Sequence, residues 1–505
     1  MVMNEEAARR LTEKLYRNLD SRRREIDDFE SYASGEQPLT FASEKWRAFH
    51  KNRYAGFSDN WCGVVASAPA ERLKLLGLRV ADSKQASNRL WDIFDRNGGM
   101  TQSSQGFLTA ITARRSFVRV WGDPETDEPT IDFLHPSQAI VDYDRTGRRR
   151  LAGLEAWIED DDDSTEYAHL YTRDSLYKWK RSSSYNVKDQ RTPSGVLIVE
   201  SAIKQVGTNG GWEPYEDEDD DSWPIPNPMG KVALVELANR PRLGRMPVSD
   251  IAGAKAMQDA INLLWGYLFG AADHASLPAR VVMGQDAPKV PILDANGQKI
   301  GEREVSLKEL EAGRLLWLTG QKTTISQWES AKLDVFTDVI EVAVGHLAAQ
   351  TRTPSHYLIA NSDNVPASGY ELAEAGLVSR VEESQTFFSG DLRDMFELVA
   401  LADDDQALAD EVRTATMLWH DATIRNESQR VDALQKKKTM GYPLRYLLEL
   451  EGKGDTEIDR IMQMVEDERT DPVIAQMARD VAAGALPPSQ LADAALDENP
   501  VPELV

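Results

Sequence analysis

Two runs of consecutive carboxylates, Glu159–Asp163 and Glu216–Asp221, and seven histidines are the residues whose types could do chemistry. Clustered carboxylates hold Mg²⁺ or Ca²⁺, and such an ion could serve a metal-dependent nuclease or hydrolase. Consecutive acids, however, splay around a strand or coil instead of converging, and neither run has the glycine and terminal glutamate of a calcium-binding loop. Both runs read as solvated loops. The histidines show no HExxH or similar ligand spacing, and His346 and His356 are separated by Pro354, so they read as structural or surface groups. No GxxxxGK-S/T loop cradles phosphate, no GxGxxG joins a strand to a helix, and no GxSxG elbow presents a serine. Arg22-Arg23-Arg24, Arg148-Arg149-Arg150 and Lys436-Lys437-Lys438 are short basic clusters with acids nearby, and read as solvated faces. The sequence argues for no catalytic residue, no metal site and no cofactor.

The elements that would position any site are easier to read. Leu11, Leu15, Leu19 and Ile26 recur at helical spacing in an opening helix, Glu5 to Ser34. A second helix ends before a short strand, Leu76 to Val80. A third, Ala86 to Asn97, stops at Asn97-Gly98-Gly99. A fourth, from Thr101, leads to the strand Ser116–Trp121. From Thr130 to Glu236 the chain alternates in polarity as half-buried antiparallel strands do, in IDFLH, AIVDY, GLEAWIE, YAHLYT, SLYKWKR and VALVEL. Three long helices follow. The first spans Ser249 to about Ala275, with Ser249 as the expected N-cap, and the second spans Glu329 to Arg352, ended by Pro354. The third opens on the capping box Ser368-Gly369-Tyr370-Glu371 and runs to about Leu401. Short strands and turns fill Leu277–Gln327, between the first two. A strand-like VRTATMLWH and helices at Ser428–Thr439, Pro443–Leu450 and Glu457–Arg469 complete the chain. The fold class is α+β, mainly helical.

At 505 residues, with 41% hydrophobic and 28% charged, the chain suits a folded protein of several domains. A net charge of −25 excludes a simple basic-groove nucleic-acid binder. Cys62 is the one cysteine, so no intramolecular disulfide forms. The N-terminus lacks the apolar core of a signal peptide. The longest uncharged apolar run, Ala260–Ala272, reaches only about two-thirds of the roughly 20 residues needed to span a bilayer, and it contains Asn262. No membrane association is expected.

Several segments together resemble tailed-bacteriophage portal proteins, the head-to-tail connectors, and their actinobacteriophage branch above all. They are NWCGVVASAPAERLKLLGLRV, LWDIFDRNGGMTQSSQGFLTAITARRSFVRVW, FLHPSQAIVDYD, ELANRPRLGRMPVSDI and RVDALQKKKTMGYPLRYLLELEGKGDTEIDRI, in order over roughly residues 10–470. At Arg245-Met246-Pro247 the chain departs from the Gly-Arg-Ser that family members often carry.

The resemblance implies a dodecameric ring at one capsid vertex, through which double-stranded DNA is packaged and ejected. It implies a wing at 1–245, stem helices at 246–276 and 328–353, and a clip at 277–327. A channel loop at 354–367, a linking helix at 368–402, a wing strand and linker at 403–427, a crown at 428–480 and a mobile tail at 481–505 complete it. Asn361, Ser362, Asp363 and Asn364 are expected to face the lumen. Asn296, Gly297 and Lys299 are expected to touch the head-to-tail adaptor. The major capsid protein and the terminase large subunit are the other expected partners, with assembly in the host cytoplasm and residence in the virion. A metal-dependent hydrolase, or another virion or scaffold component, is the alternative.

Overall fold

In the computed structural model the opening helix, α1, spans Glu5–Ser34. Asn4 caps it by accepting the Ala7 N–H, Glu5 and Glu6 complement its dipole, and Gly35 ends it in the left-handed conformation. The structure describes residues 2–37, 57–80, 84–123, 126, 128–158, 165–182, 211–217, 222–276, 280–283, 289–293, 298–304, 315–318, 333–358, 367–423, 427–451, 453 and 455–470.

Helix α2 is Trp61–Ala70, β1 is Leu75–Arg79, α3 is Lys84–Arg96 and α4 is Gly99–Ala113. Strands β2 (Arg115–Gly122), β3 (Pro129–Leu134) and β10 (Leu234–Ala238) form an antiparallel sheet in the order β10-β2-β3. Strands β4 (Ala139–Tyr143), β5 (Arg150–Ile158), β6 (Thr165–Thr172), β7 (Ser175–Ser182) and β8 (Glu213–Pro214) make the larger sheet. Short β9 (Ile225–Pro226) also pairs with β7. Helix α4 lies so close on β3 that a Cβ at Gly106 would sit 2.3 Å from the Phe133 ring.

Two apolar cores result. One joins α1 to the larger sheet through Leu15, Leu19, Leu154, Leu170 and Trp179. The other gathers α2, α4, the smaller sheet and the long helices. Its spine is α8, Ala367–Ala402, whose Phe388 stacks on Phe107 at 5.2 Å and whose Phe396 meets Phe94 at 5.6 Å.

Helix α5 is Lys255–Ser276 and α6 is Asp334–Thr351. Between them, β11 (Arg280–Met283) runs parallel to β14 (Leu315–Leu318), while β12 (Lys289–Leu293) pairs antiparallel with β13 (Lys299–Glu304). After α6 come the single turn α7 (Ser355–Leu358), then α8 and α9 (Gln406–Val412). Strand β15 (Thr416–Trp419) returns to pair with β1. Helices α10 (Glu427–Thr439), α11 (Leu444–Leu450) and α12 (Asp455–Thr470) close the described chain.

The helix starts expected at Ser368 and Thr101 fall at Ala367 and Gly99, and the start of α5 differs more. Ser249 does not open α5; tight i→i+3 turns occupy 249–254, with Ala252 N–H donating to Ser249 O and Ala254 N–H to Ile251 O. The regular helix starts only at Lys255. The reason is tertiary: the Asp250 N–H donates to Ile111 O on α4, and its carboxylate is drawn sideways by Arg380 of α8.

Candidate functional site

The two expected stem helices, α5 and α6, pack on each other. Ile251, Ala254, Ile261 and Leu268 are buried before and along α5, and Ile340, Val344, Leu347 and Ala348 along α6. These are the inward stripes that helical periodicity requires. The outward side of α6 is different. Val335, Val339 and Val342, also at helical spacing, are 56%, 47% and 59% exposed, and Tyr267 of α5 is 49% exposed.

A polar joint fixes this pair to the body. Arg380 donates through Nε to Asp250 Oδ2 (2.7 Å), through Nη1 to Thr351 O at the end of α6 (2.7 Å), and through Nη2 to Val65 O of α2 (3.2 Å). Asn239 Nδ2 donates to the other Asp250 oxygen at 3.1 Å. One buried guanidinium thus ties α8, α6, α2 and the turn before α5. A buried charge is tolerated because every face of it meets an acceptor.

Polar residues of α5 serve a second connection. Gln258 Oε1 accepts the Trp61 and Cys62 N–H groups at 2.7 and 3.2 Å, and Asn262 Oδ1 accepts the Asp59 N–H at 3.0 Å. They satisfy donors at the start of α2 that Asn60 does not reach. Tyr32 OH donates to both Asp259 oxygens, at 2.8 and 2.9 Å, and Lys255 pairs with Asp28 while lying over the Phe29 and Tyr32 rings. Burial, then the Asp259 carboxylate, raises the Tyr32 hydroxyl well above its usual range, and burial pushes the Cys62 thiol up to about 12. Neither is a nucleophile at neutral pH.

At the far end of α6, Arg352 takes a left-handed φ of 55° and ends the helix. Arg72 holds the following turn, donating to Tyr357 OH at 2.6 Å and pairing with Glu374 at 3.2 Å. The expected channel-loop residues Asn361, Ser362, Asp363 and Asn364 lie outside the described residues, as do Asn296 and Gly297. Lys299 is placed on β13, exposed, in an ion pair with Glu302.

A cavity of about 720 Å³ opens between the two main sheets and is lined by Arg119, Trp121, Asp132, His169, Tyr171 and Lys178 among others. Its charges are spent on one another. Arg119 pairs with Asp132 at 2.6 Å and Glu155 at 3.1 Å, and Lys178 with Asp217 at 2.5 Å. His169 Nε2 meets Tyr215 OH at 2.8 Å, and burial, then Lys178 and Arg119, lowers its pKa to about 3, so the ring is neutral. Asp217 belongs to the second acidic run and is used here as a counter-ion. The first run lies outside the described residues.

Among the described residues no three His, Cys, Asp or Glu side chains group as a metal site, and no helix is long and apolar enough to cross a membrane. The basic clusters are partly structural. Arg23 donates to Ser137 O and Tyr16 OH, Arg150 pairs with Asp394, and Lys436 with Asp432. Sequence reasoning missed the Arg380 joint. It also missed Gln258 and Asn262, although two amides four residues apart on an apolar face were a visible signal.

Two curated relatives are similar to this chain in sequence. The portal protein of Mycobacterium phage D29 is 23% identical over 384 residues, covering 73% of this chain and 70% of the relative. That of Mycobacterium phage L5 is 23% identical over 390 residues, covering 74% and 71%. The family model described as "Phage portal protein, SPP1 Gp6-like" matches residues 15–470. The chain therefore belongs to the phage portal protein family, whose members form the ring that joins capsid and tail at the capsid vertex.

Proposed function

We propose that this chain is one subunit of a dodecameric portal through which double-stranded DNA is packaged, retained and ejected. One observation carries the reading beyond family membership. Helices α5 and α6 bury one face each, yet turn Tyr267 on one and Val335, Val339 and Val342 on the other toward solvent. A valine stripe on one helix and a lone tyrosine on the other are unlike surfaces, which suits head-to-tail contact between copies, and such contact makes a ring when the rotation closes.

Under this reading residues 1–245 form the wing, α5 and α6 the stem, 277–327 the clip, 354–367 the channel loop and 428–480 the crown. Asn361, Ser362, Asp363 and Asn364 face the lumen. Asp363 is the only acid, and no Lys or Arg lies between Pro354 and Ala367, so contacts to DNA stay weak. Asn296, Gly297 and Lys299 touch the head-to-tail adaptor, the wing meets the major capsid protein, and the terminase large subunit supplies the ATP chemistry. The chain itself guides DNA and catalyses nothing. Assembly takes place in the host cytoplasm.

Light scattering of the purified chain, with negative-stain imaging, tests the reading: rings of about a dozen copies with a central hole are expected. A stable monomer at assembly concentrations sinks it.

A further inference from the structure

The turn between β10 and α5 presents a feature that the family match leaves without a role. Arg242 and Arg245 bridge across a tight turn, with Gly244 at a φ of 66°, and Leu243 at the tip is 102% exposed. The base of this turn is clamped, because Val248 N–H donates to Asn239 O (3.1 Å) and Asn239 Nδ2 returns to Val248 O (2.8 Å). The leucine is therefore held out on a rigid base.

Beside it lies a cavity of about 390 Å³ lined by Arg240, Arg242, Ser249, Gln350 and Arg352, with the Asp250–Arg380 pair among its walls and Glu383 also lining it. Arg240 and Arg352 both sit at left-handed φ values, 47° and 55°. Side chains other than glycine rarely adopt that conformation, and it persists where surrounding structure imposes it. Among the described residues Arg242, Arg245 and Arg352 make no side-chain ion pair, and Arg240 reaches Asp250 only at 3.5 Å. Guanidinium groups lining a cavity fit an oxyanion by paired N–H donors.

We propose that this turn and cavity dock a second copy of the chain, whose carboxylate enters the arginine-lined cavity while an apolar hollow receives Leu243. The proposal rests on the ring reading above. Charge complementarity selects the partner: at −25 per chain, a neighbouring copy offers a surface rich in carboxylates. A DNA backbone would also meet the arginines, but it offers nothing to a fully exposed leucine set between them. Protein interfaces take an apolar anchor ringed by charge.

The test uses the full chain, with Leu243→Asp and the double variant Arg242→Glu/Arg245→Glu beside the wild type. Mass by light scattering is followed over a dilution series, and circular dichroism and thermal melting check the fold. Both variants are expected to melt as the wild-type subunit does and to need at least about tenfold higher concentration to assemble. Wild-type assembly should also weaken as salt rises. Variants that form rings at wild-type concentrations overturn the docking role and leave the ring reading intact. So do variants whose rings are normal but hold DNA or capsid protein less well, because the turn then faces another partner. A wild type that stays monomeric overturns the ring reading and this proposal with it.

Discussion

The larger sheet with α1 and the proposed stem pair α5/α6 deal with their surfaces in opposite ways. On the sheet, charges are turned inward and paired. Glu166, 1% exposed, accepts from Tyr16 OH at 2.6 Å and from Arg181 Nε at 2.8 Å, and Arg181 lies over the Tyr16 and Trp212 rings. On the stem pair, apolar side chains are turned outward. The first surface is complete within one chain. The second leaves its apolar side chains to water in the single chain, and under the reading proposed above another copy covers them.

The point where the two regimes meet is the Arg380 joint, and breaking it should have the largest effect. Arg380→Ala leaves the Asp250 carboxylate buried beside an empty space. A loss of about 3–5 kcal/mol is expected, read from the urea midpoint. Replacing both partners, with Arg380→Met and Asp250→Leu together, should recover much of it, since the unpaired charge and not the missing bond dominates the cost. If the double variant is as unstable as the single, the pair is not the joint described here.

The contrast between the faces of α6 is sharpened next. Leu347, 0% exposed, and Val342, 59% exposed, lie on opposite sides of one helix. Leu347→Ala should cost about 2–5 kcal/mol of subunit stability. Val342→Ala should stay within about 0.5 kcal/mol in the subunit yet weaken assembly. Equal stability losses, or assembly indifferent to Val342, would erase the distinction.

How much of this was legible follows from the range of each interaction. Helices α1 and α8 and the strand at Ala139–Tyr143 were readable because their periodicity is written in neighbouring residues. The start of α5 was not, because Asp250 answers to Arg380, far along the chain. Nor could local pattern pair β1 with β15, or assign Asp217 to Lys178. The second acidic run read as a solvated loop, and only the fold shows Asp217 reaching Lys178. Of the expected site residues, Lys299 alone falls within the described chain.

The sheet region's inward polarity also predicts a loss of stability on acidification. His169 keeps a pKa of about 3 in the fold, against 6.5 for an ordinary histidine. A depressed pKa means its stabilising contribution is complete above pH 6.5 and is lost progressively as pH falls from there toward 3. The wild type should lose up to about 1.4 kcal/mol per pH unit from this group across that window. His169→Gln, which keeps a partner for Tyr215, should flatten that limb in urea titrations at pH 7, 5.5 and 4.5. An unchanged slope would assign the acid sensitivity elsewhere.

The smallest effect belongs to β13, in the proposed clip. Lys299 and Glu302 are 56% and 45% exposed, so water and salt screen their attraction. An exposed pair of this kind contributes about 0–1 kcal/mol, and Lys299→Ala should leave the urea midpoint almost where it was. The expected consequence lies in what β13 touches. If Lys299 meets the adaptor, removing its charge weakens adaptor capture by otherwise normal rings, and more so at low salt, where charge pairs count most. Pull-down of the adaptor on wild-type and Lys299→Ala rings at two ionic strengths separates the cases. Equal capture at both would free Lys299 of that role and leave it as a solvated partner of Glu302. A stability loss well above about 1 kcal/mol would instead place the side chain in the packing around β13.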